Sequence, residues 1–405
     1  MAHQKRQILL VKSHAPLLVK SILESKGFET RFLPDLCLAS DEAYREFKIL
    51  WASSRHRKTE YQLTKSSTQK MNHFQTTSIL TRKDKLIRLL RKMKNVHGRV
   101  YGFVPTSFIL PSEYGKFVKV YSEEELERED DQPPATWICK PSDMSQGRKI
   151  FLIQNIMDLV YDQQYVVQRY ISSPLTIGGY KVDFRVYVLV ASFNPLVVYV
   201  HKNGLARFAT KKYSQSNLGD AFAHLTNNSI NKHSSSYTTA KDVIGSGCKW
   251  DFEQLEDWFR TNELDYSVVW RRIERLVALT LLAAVPHVPP HPSCFELFGF
   301  DVLLTDKLRP WLLEVNCAPA LSVDCDVDER VKPGVVEEMF EVIERNVPVG
   351  GYERIFPFNE ASKEASQNIA KCFKAKTLSA VSKEIGANVK KIVGEIKKNF
   401  MSGKR

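Results

Sequence analysis

The chain has 405 residues, 43% of them hydrophobic and 26% charged, which supplies real cores, excludes an intrinsically disordered protein and suggests two or three domains at about 100–200 residues each. Its formal net charge of +12 points to an anionic partner, whether nucleic acid, anionic membrane or acidic polypeptide, and charge alone does not choose among them. Neither a signal peptide nor a membrane span is read, because the apolar runs Ile8–Val11 and Leu276–Val285 fall far short of the about 20 residues a span needs; seven dispersed cysteines without a CxxC fit a reduced cytosolic protein with no structural zinc site.

Residues 17–26, LLVKSILESK, place apolar positions at helical spacing, with Gly27 as the stop. Arg45–Arg99 is a basic block of 15 Lys/Arg against 3 acids, and Thr81–Lys94 within it reads as a basic amphipathic helix. Glu123–Asp131 is acidic. DDQPPAT (130–136) is a charged, Pro-rich connection. A dense β region follows: WICKP (137–141), KIFLI, YVVQRY, DFRVYVLVAS and LVVYVHK. FEQLEDWFR and VVWRRIERLVALTLLAAV read as helices, Pro286–Pro292 as a loop. Two more strands flank TDKLRP (305–310). In the tail, Phe373, Leu378, Val381, Ile385, Val389, Ile392, Ile396 and Phe400 form one stripe of a basic helix, and residues 361–405 carry 11 Lys/Arg against 3 Glu. The overall class is α+β, with the chemistry between about 137 and 332.

The last two strands form a hairpin, and its second arm ends in Leu-Leu-Glu-Val-Asn. Glu314 and Asn316 share one face because strand side chains alternate. A turn centred between Lys307 and Leu308 sets Asp301 opposite Glu314. Two acids directly opposite repel, and a cation would reverse that penalty; the plainer reading is a half-exposed strand edge. The ligands would be Asp301, Glu314 and Asn316, oxygen donors that suit Mg²⁺. No GxxxxGK[ST], complete GxGxxG or HRD/DFG pair is present to hold phosphates. Lys140, followed by the glycine-containing loop SDMSQGRK (142–149), is a phosphate grip or a surface hairpin. Gln168–Ile171 ends a strand of the type that pairs with an adenine edge, or is simply core. Lys181, Asp183 and Arg185 alternate onto one face and suggest a polar cleft. HLTNNSINKH (224–233) gathers amides and hydroxyls, as a helix-capping loop also would.

Taken in order, NHFQTTSILTRKDKLIRLL, WICKP, QRYI, KVDFRVYV, HLTNNSINK, FELFGFDVLL and WLLEVNCAPAL resemble the tubulin–tyrosine-ligase-like family of the ATP-grasp superfamily, over about residues 15–345 and closest to its polyglutamylase-like branch. The resemblance implies an ATP-grasp-like fold with the nucleotide held between two α+β subdomains: an N-terminal domain over 1–125, a central subdomain over 126–190, a C-terminal subdomain with the Mg²⁺ site over 191–345, and a basic tail over 346–405.

It also implies residue roles. Lys140 would touch ATP phosphates, and Gln146 with Gly147 would belong to the lid loop. Gln168, Arg169, Tyr170 and Ile171 would receive adenine, and Lys181 and Asp183 would lie at the ribose side. Thr226 and Asn227 would contact nucleotide. Arg207 would grip the carboxylate of the incoming amino acid, faced by Asn228 and Ser229, with Lys249 and Lys332 as further contacts. Arg185 would face the phosphoryl group or the acceptor as the catalytic residue. Asp301, Glu314 and Asn316 would bind Mg²⁺. The sequence departs from the family pattern in the lid, Gln146-Gly147-Arg148-Lys149, where a second glycine is usual; at Asn228, where tyrosine is common; and at Cys317, after the Mg²⁺ asparagine.

The implied reaction is ATP-dependent ligation of free L-glutamate to γ-carboxylates in acidic tubulin tails through an acyl phosphate. Glycine addition, or a catalytically weak microtubule binder, are the alternatives. No nucleic-acid-binding pattern is present. The expected setting is a monomer in the cytoplasm and cytoskeleton, with cilium or basal body as finer options.

Overall fold

The computed structural model describes residues 7–12, 14–33, 46–64, 68–144, 147–237, 240, 244–245, 248–357, 360–364, 367, 387–396 and 398. The architecture is mixed α+β, as the sequence pattern requires. A large sheet runs in the order Lys249–Asp251, Leu205–Lys212, Tyr180–Phe193, Cys294–Leu304, Lys70–Asn72, Ile49–Ala52, Gln7–Lys12 and Phe28–Leu33. Its first half is antiparallel. The N-terminal strands are parallel and join it where Met71 pairs with Cys294. A second sheet of four antiparallel strands contains Ser107–Leu110, Tyr165–Arg169, Trp137–Pro141 and Phe151–Ile153. Sheet membership does not break at 125 or 190: the small sheet begins at Ser107, and the strand Tyr180–Phe193 belongs wholly to the large one.

Period-2 alternation explains why the large sheet is covered on both faces. From the strand Tyr180–Phe193, Phe184, Val186, Val188 and Val190 enter one core, and Tyr187 and Leu189 the other. The helix Tyr266–Ala284 fills the first core with Ile273, Leu276, Val277 and Leu281. The helix Asp326–Arg345 fills the second with Val327, Val331, Val335 and Met339. That helix is absent from the sequence reading, because Pro333-Gly334 in its interior reads as a breaker. The helix expected over 81–94 is divided: Ser78–Thr81 and Lys83–His97 are separated by Arg82 in an extended conformation. Arg82 there bonds Asp84 (3.1 Å) and Asp143 (2.6 Å). The helix Leu17–Ser25 does stop at Gly27, which adopts φ +85°. Among the described residues no helix is long and apolar enough to cross a membrane.

Residues 387–396 of the tail are helical, and Val389, Ile392, Val393 and Ile396 are buried in the first core while Lys390 and Lys391 face outward. Phe373, Leu378, Val381, Ile385 and Phe400 lie outside the described residues. The stripe is therefore a packing face over 387–396. Each such side chain contributes at most about 1.5–3 kcal/mol, offset by the entropy of ordering the helix. Deleting residues 387–405 is expected to lower the melting temperature by about 5 °C or more. Differential scanning calorimetry of the two chains checks this; an unchanged midpoint would mean the contact adds no stability.

Candidate active site

A cleft of about 740 Å³, counting the part open to solvent, lies between the small sheet and the large one. Lys140, Gly147, Gln168, Arg169, Tyr170, Ile171, Lys181, Asp183, Thr226, Asn227, Asp301 and Glu314 all line it, so residues spread over 175 positions of sequence converge on one cavity. Arg185, Arg207 and Asn316 stand immediately behind this wall. Lys249 and Lys332 form a separate cluster. Asn228 and Ser229 lie on the short helix Asn228–Asn231 that follows Asn227. Gln146 lies outside the described residues. Gly147, at φ +72°, needs to be glycine: an added Cβ would come within 2.4 Å of Ile230 Cδ1 and 3.1 Å of Asn227 Oδ1. The loop after WICKP is thereby seated against the 227–231 segment.

The hairpin pairs Asp301 with Glu314, as expected, but by a different route. Next to the turn, Leu304 pairs with Pro310, Leu303 with Trp311 and Val302 with Leu312. Continued unchanged, that register would set Leu313 opposite Asp301. A β-bulge at Leu313 shifts it by one residue, so that Asp301 meets Glu314 and Gly299 meets Asn316. The bulge also turns successive residues Leu313 and Glu314 into the same cleft, which strict alternation forbids.

Charges in the wall are paired. Arg185 donates to Asp301 through Nε (2.6 Å) and Nη2 (3.1 Å). Arg207 donates to Asp183 through Nε (2.8 Å) and Nη2 (2.6 Å), and its Nη2 is also 2.8 Å from Asp301. Burial alone would raise the Asp301 carboxyl, but Arg185 and Arg207 hold it well below the usual carboxylate range. Lys83 pairs with Glu314 (3.2 Å) and donates to the Met144 carbonyl (2.7 Å). The repulsion expected of two facing acids is thus already relieved by three cations of the chain, and a metal is not required to explain their pairing.

Other cations are held ready by neutral partners. Lys140 donates to Gln168 Oε1 (2.9 Å), and Gln168 Nε2 donates to Ser107 Oγ (2.9 Å). Lys181 donates to the Tyr170 hydroxyl (2.9 Å) and the His224 carbonyl (2.8 Å). Burial pulls Lys140 down to about 8, against the opposing pull of Glu314, with Lys83 lowering it further. Burial pulls Lys181 down to about 7, against Asp183, with Lys140 adding to the drop. The guanidinium of Arg169 lies 4.3 Å from the Trp137 ring and pairs with Glu124. Ile138, Tyr170 and Leu225 form a small apolar cluster along the cleft, with Ile150 packed against it.

Lys249 and Lys332 share one fully buried carboxylate, Asp328, at 2.7 and 2.9 Å. Burial would raise Asp328, and the two lysines lower it. Lys249 pairs across the sheet with Arg207, which carries this cluster to the back of the cleft. Lys83, His224 and Asp328 were not assigned from the sequence. Lys83 sits in a helix read only for its charge, whereas Asp328 and Lys332 do stand at i, i+4, the one local signal of their pairing.

A profile of the tubulin-tyrosine ligase family matches residues 61–353. The chain belongs to this family. It is 41% identical over 343 residues to the probable tubulin polyglutamylase TTLL2 of Homo sapiens, covering 84% of this chain and 56% of that protein. It is 37% identical over 339 residues to the tubulin polyglutamylase TTLL5 of Mus musculus, covering 80% and 24% respectively. Against TTLL6 of Mus musculus the figures are 38% over 291 residues, 68% and 34%. The chain therefore spans little more than half the length of the human TTLL2 protein. The tubulin-tyrosine ligase family is one of ATP-dependent ligases, and the mixed α+β architecture with a cleft between two sheets agrees with its ATP-grasp-like fold.

As a site for a divalent cation such as Mg²⁺, the donor set of Asp301, Glu314 and Asn316 is suitable. Two carboxylates and an amide are hard oxygen ligands, and three protein positions leave room for waters and phosphates. Among the described residues no three His, Cys, Asp or Glu side chains cluster closely enough to hold a metal by themselves.

Proposed function

We propose that this chain is an ATP- and Mg²⁺-dependent ligase that adds L-glutamate to γ-carboxylates of glutamates in acidic tubulin tails. The observation that carries the reading is the cleft itself. Lys83, Lys140, Lys181, Arg185 and Arg207 stand against only Asp183, Asp301 and Glu314, so a polyphosphate meets a surplus of positive charge beside apolar walls suited to a base. The names of the similar polyglutamylases supply the substrate class.

In this reading Lys140 and Lys83 hold phosphate oxygens, Lys181 and Asp183 lie at the ribose, and Gln168–Ile171 edge the adenine. Asp301, Glu314 and Asn316 would hold Mg²⁺, which when bound neutralises charge on the phosphates. The acceptor γ-carboxylate attacks the γ-phosphorus and releases ADP. The α-amine of glutamate then attacks the acyl carbon and expels phosphate, forming the isopeptide bond. Arg185, 2.6 Å from Asp301, is placed to offset charge on the transferring group. Two lysines on the single carboxylate of Asp328 leave a positive charge for a second carboxylate on the donor, which favours glutamate over glycine. The setting is cytoplasmic and microtubule-associated, with cilium or basal body as the finer options.

Mass spectrometry of a tubulin tail peptide after incubation with the chain, ATP, Mg²⁺ and either amino acid tests this. Glutamate increments are expected. Glycine increments alone would reverse the donor choice, and no increment with either would remove the ligase reading.

Nucleotide binding is also expected to take up protons near pH 8. Free Lys140 and Lys181, at about 8 and about 7, are partly neutral there, and an anionic phosphate beside them favours the charged form and raises both pKa values. Titration calorimetry in buffers of different ionisation enthalpy reads the uptake; it should shrink in Lys140→Ala. Uptake of equal size in that variant would place the proton elsewhere.

A further inference from the structure

Arg55 follows the strand Ile49–Ala52 and is half-buried. Its Nε donates to Thr77 Oγ1 (3.2 Å) and its Nη2 to Thr81 Oγ1 (2.8 Å). Among the described residues no carboxylate lies within ion-pair distance of it, whereas Arg82, Arg185 and Arg207 nearby are each paired with an aspartate. A guanidinium has five N–H donors in a fork that matches a carboxylate, and the two hydroxyls occupy two of them.

Its position gives those spare donors meaning. Thr81 stands two residues before Lys83, which pairs with Glu314. The helix Ser78–Thr81 also packs against the strand Pro310–Asn316, which Cys317 follows. Arg55 therefore sits beside the far end of the strand Pro310–Asn316. A second cleft, sharing no lining residue with the first, reaches the same point. Leu17, Lys20, Ser53, Asn72, Cys317 and Val323 line it, with Leu17 and Val323 exposed at its rim. Glu314 faces one cleft and Cys317 the other, three residues apart on one chain.

We propose that the second cleft takes the acceptor polypeptide and that Arg55 binds a carboxylate of that chain, next to the one being modified. The ligand is an acidic peptide with at least two neighbouring glutamates. This rests on the ligase reading, which already fills the first cleft with nucleotide. The occupant follows from charge complementarity at Arg55, two residues beyond the lining residue Ser53, and at Lys20, whose pair with Glu24 is loose (3.7 Å) and solvent-exposed, and from continuity with the hairpin that carries Glu314 and Asn316. The apolar walls suit the aliphatic stems and backbone of an extended chain.

The test is affinity of the full chain for a fluorescent tail peptide, read by anisotropy without turnover. Two peptides are used, one with consecutive glutamates and one with the flanking glutamates changed to glutamine. Arg55→Gln is expected to weaken binding of the first peptide by about five- to tenfold, the scale of one charge-assisted contact at a half-buried site. The glutamine peptide should bind wild type and Arg55→Gln equally weakly. Arg55→Lys, which keeps the charge and loses the fork, should fall between. A thermal melt on each preparation checks the fold, and the two-peptide comparison on wild type alone remains readable should a variant melt early. Equal affinity of wild type and Arg55→Gln for the first peptide overturns the proposal, as does an equal loss on both peptides, since that is what a merely structural arginine would give. Binding with the expected pattern but without ligation would count against the ligase reading and support the assignment of Arg55.

Discussion

Glu314→Gln is expected to lower ligation by on the order of 100- to 1,000-fold, the cost of losing one charge aimed at the reacting phosphates. The substitution keeps volume and one acceptor oxygen, the other oxygen becoming an NH₂ donor. It removes one of the two carboxylates proposed to hold Mg²⁺, and it leaves Lys83 as an additional uncompensated cation at the mouth of the cleft. Stability should hardly change. Glu314 is partly exposed (23%), and an ion pair at such a site contributes less than about 1 kcal/mol. Lys83 also keeps its bond to the Met144 carbonyl. Quantified glutamate incorporation and a thermal melt on the same sample decide it. Near-normal ligation at ordinary Mg²⁺ would show that Glu314 is not a metal ligand.

Asp301→Asn should have a different signature although Asp301 faces Glu314 across the hairpin. Asp301 is 2% exposed and accepts from both Arg185 and Arg207. Removing its charge leaves the mostly buried Arg185 (12% exposed) without the carboxylate it pairs with, and breaking a buried pair from one side costs about 3–5 kcal/mol. The low end applies because Arg207 retains Asp183. Denaturant unfolding should therefore show a loss of about 3 kcal/mol, and ligation should disappear with it. A variant as stable as the parent would mean that the arginines find other partners. A stable variant that also ligates would remove Asp301 from both roles. Comparing the two substitutions separates chemistry from scaffolding within one pair of acids.

How far the site could be read in advance varied with the physics behind each residue. Lys181, Asp183 and Arg185 were legible because a strand alternates, and three charges on one side of an apolar run have few uses. Lys140 was legible as a lysine in a strand followed by a glycine loop. The pairing of Asp301 with Glu314 was anticipated from a symmetric turn, yet the turn is displaced and the bulge at Leu313 restores the match. A bulge has no periodic signature, so only the folded hairpin reveals it. Lys83 was read merely as part of a basic face, because its partner lies 231 residues away. The helix Asp326–Arg345 was missed through Pro333, and Asp328 with it; burial of its apolar face against the large sheet outweighs the local penalty of the proline.

The sequence by itself determined most of the local elements, the faces their side chains occupy, the excess of positive charge, and the family, since these depend on neighbours a few residues apart or on ordered motifs. Only the tertiary structure decided which cation meets which acid. Arg185 with Asp301, Lys249 with Asp328 and Lys83 with Glu314 are separated by 116, 79 and 231 residues. It also decided that four apolar residues of the tail helix are core and that Arg55 meets two hydroxyls and, among the described residues, no carboxylate. The physical reason is that periodicity selects a face, while the partner on that face is chosen by strand order, register and the closing of helices over the sheet, none of which is encoded within a short window.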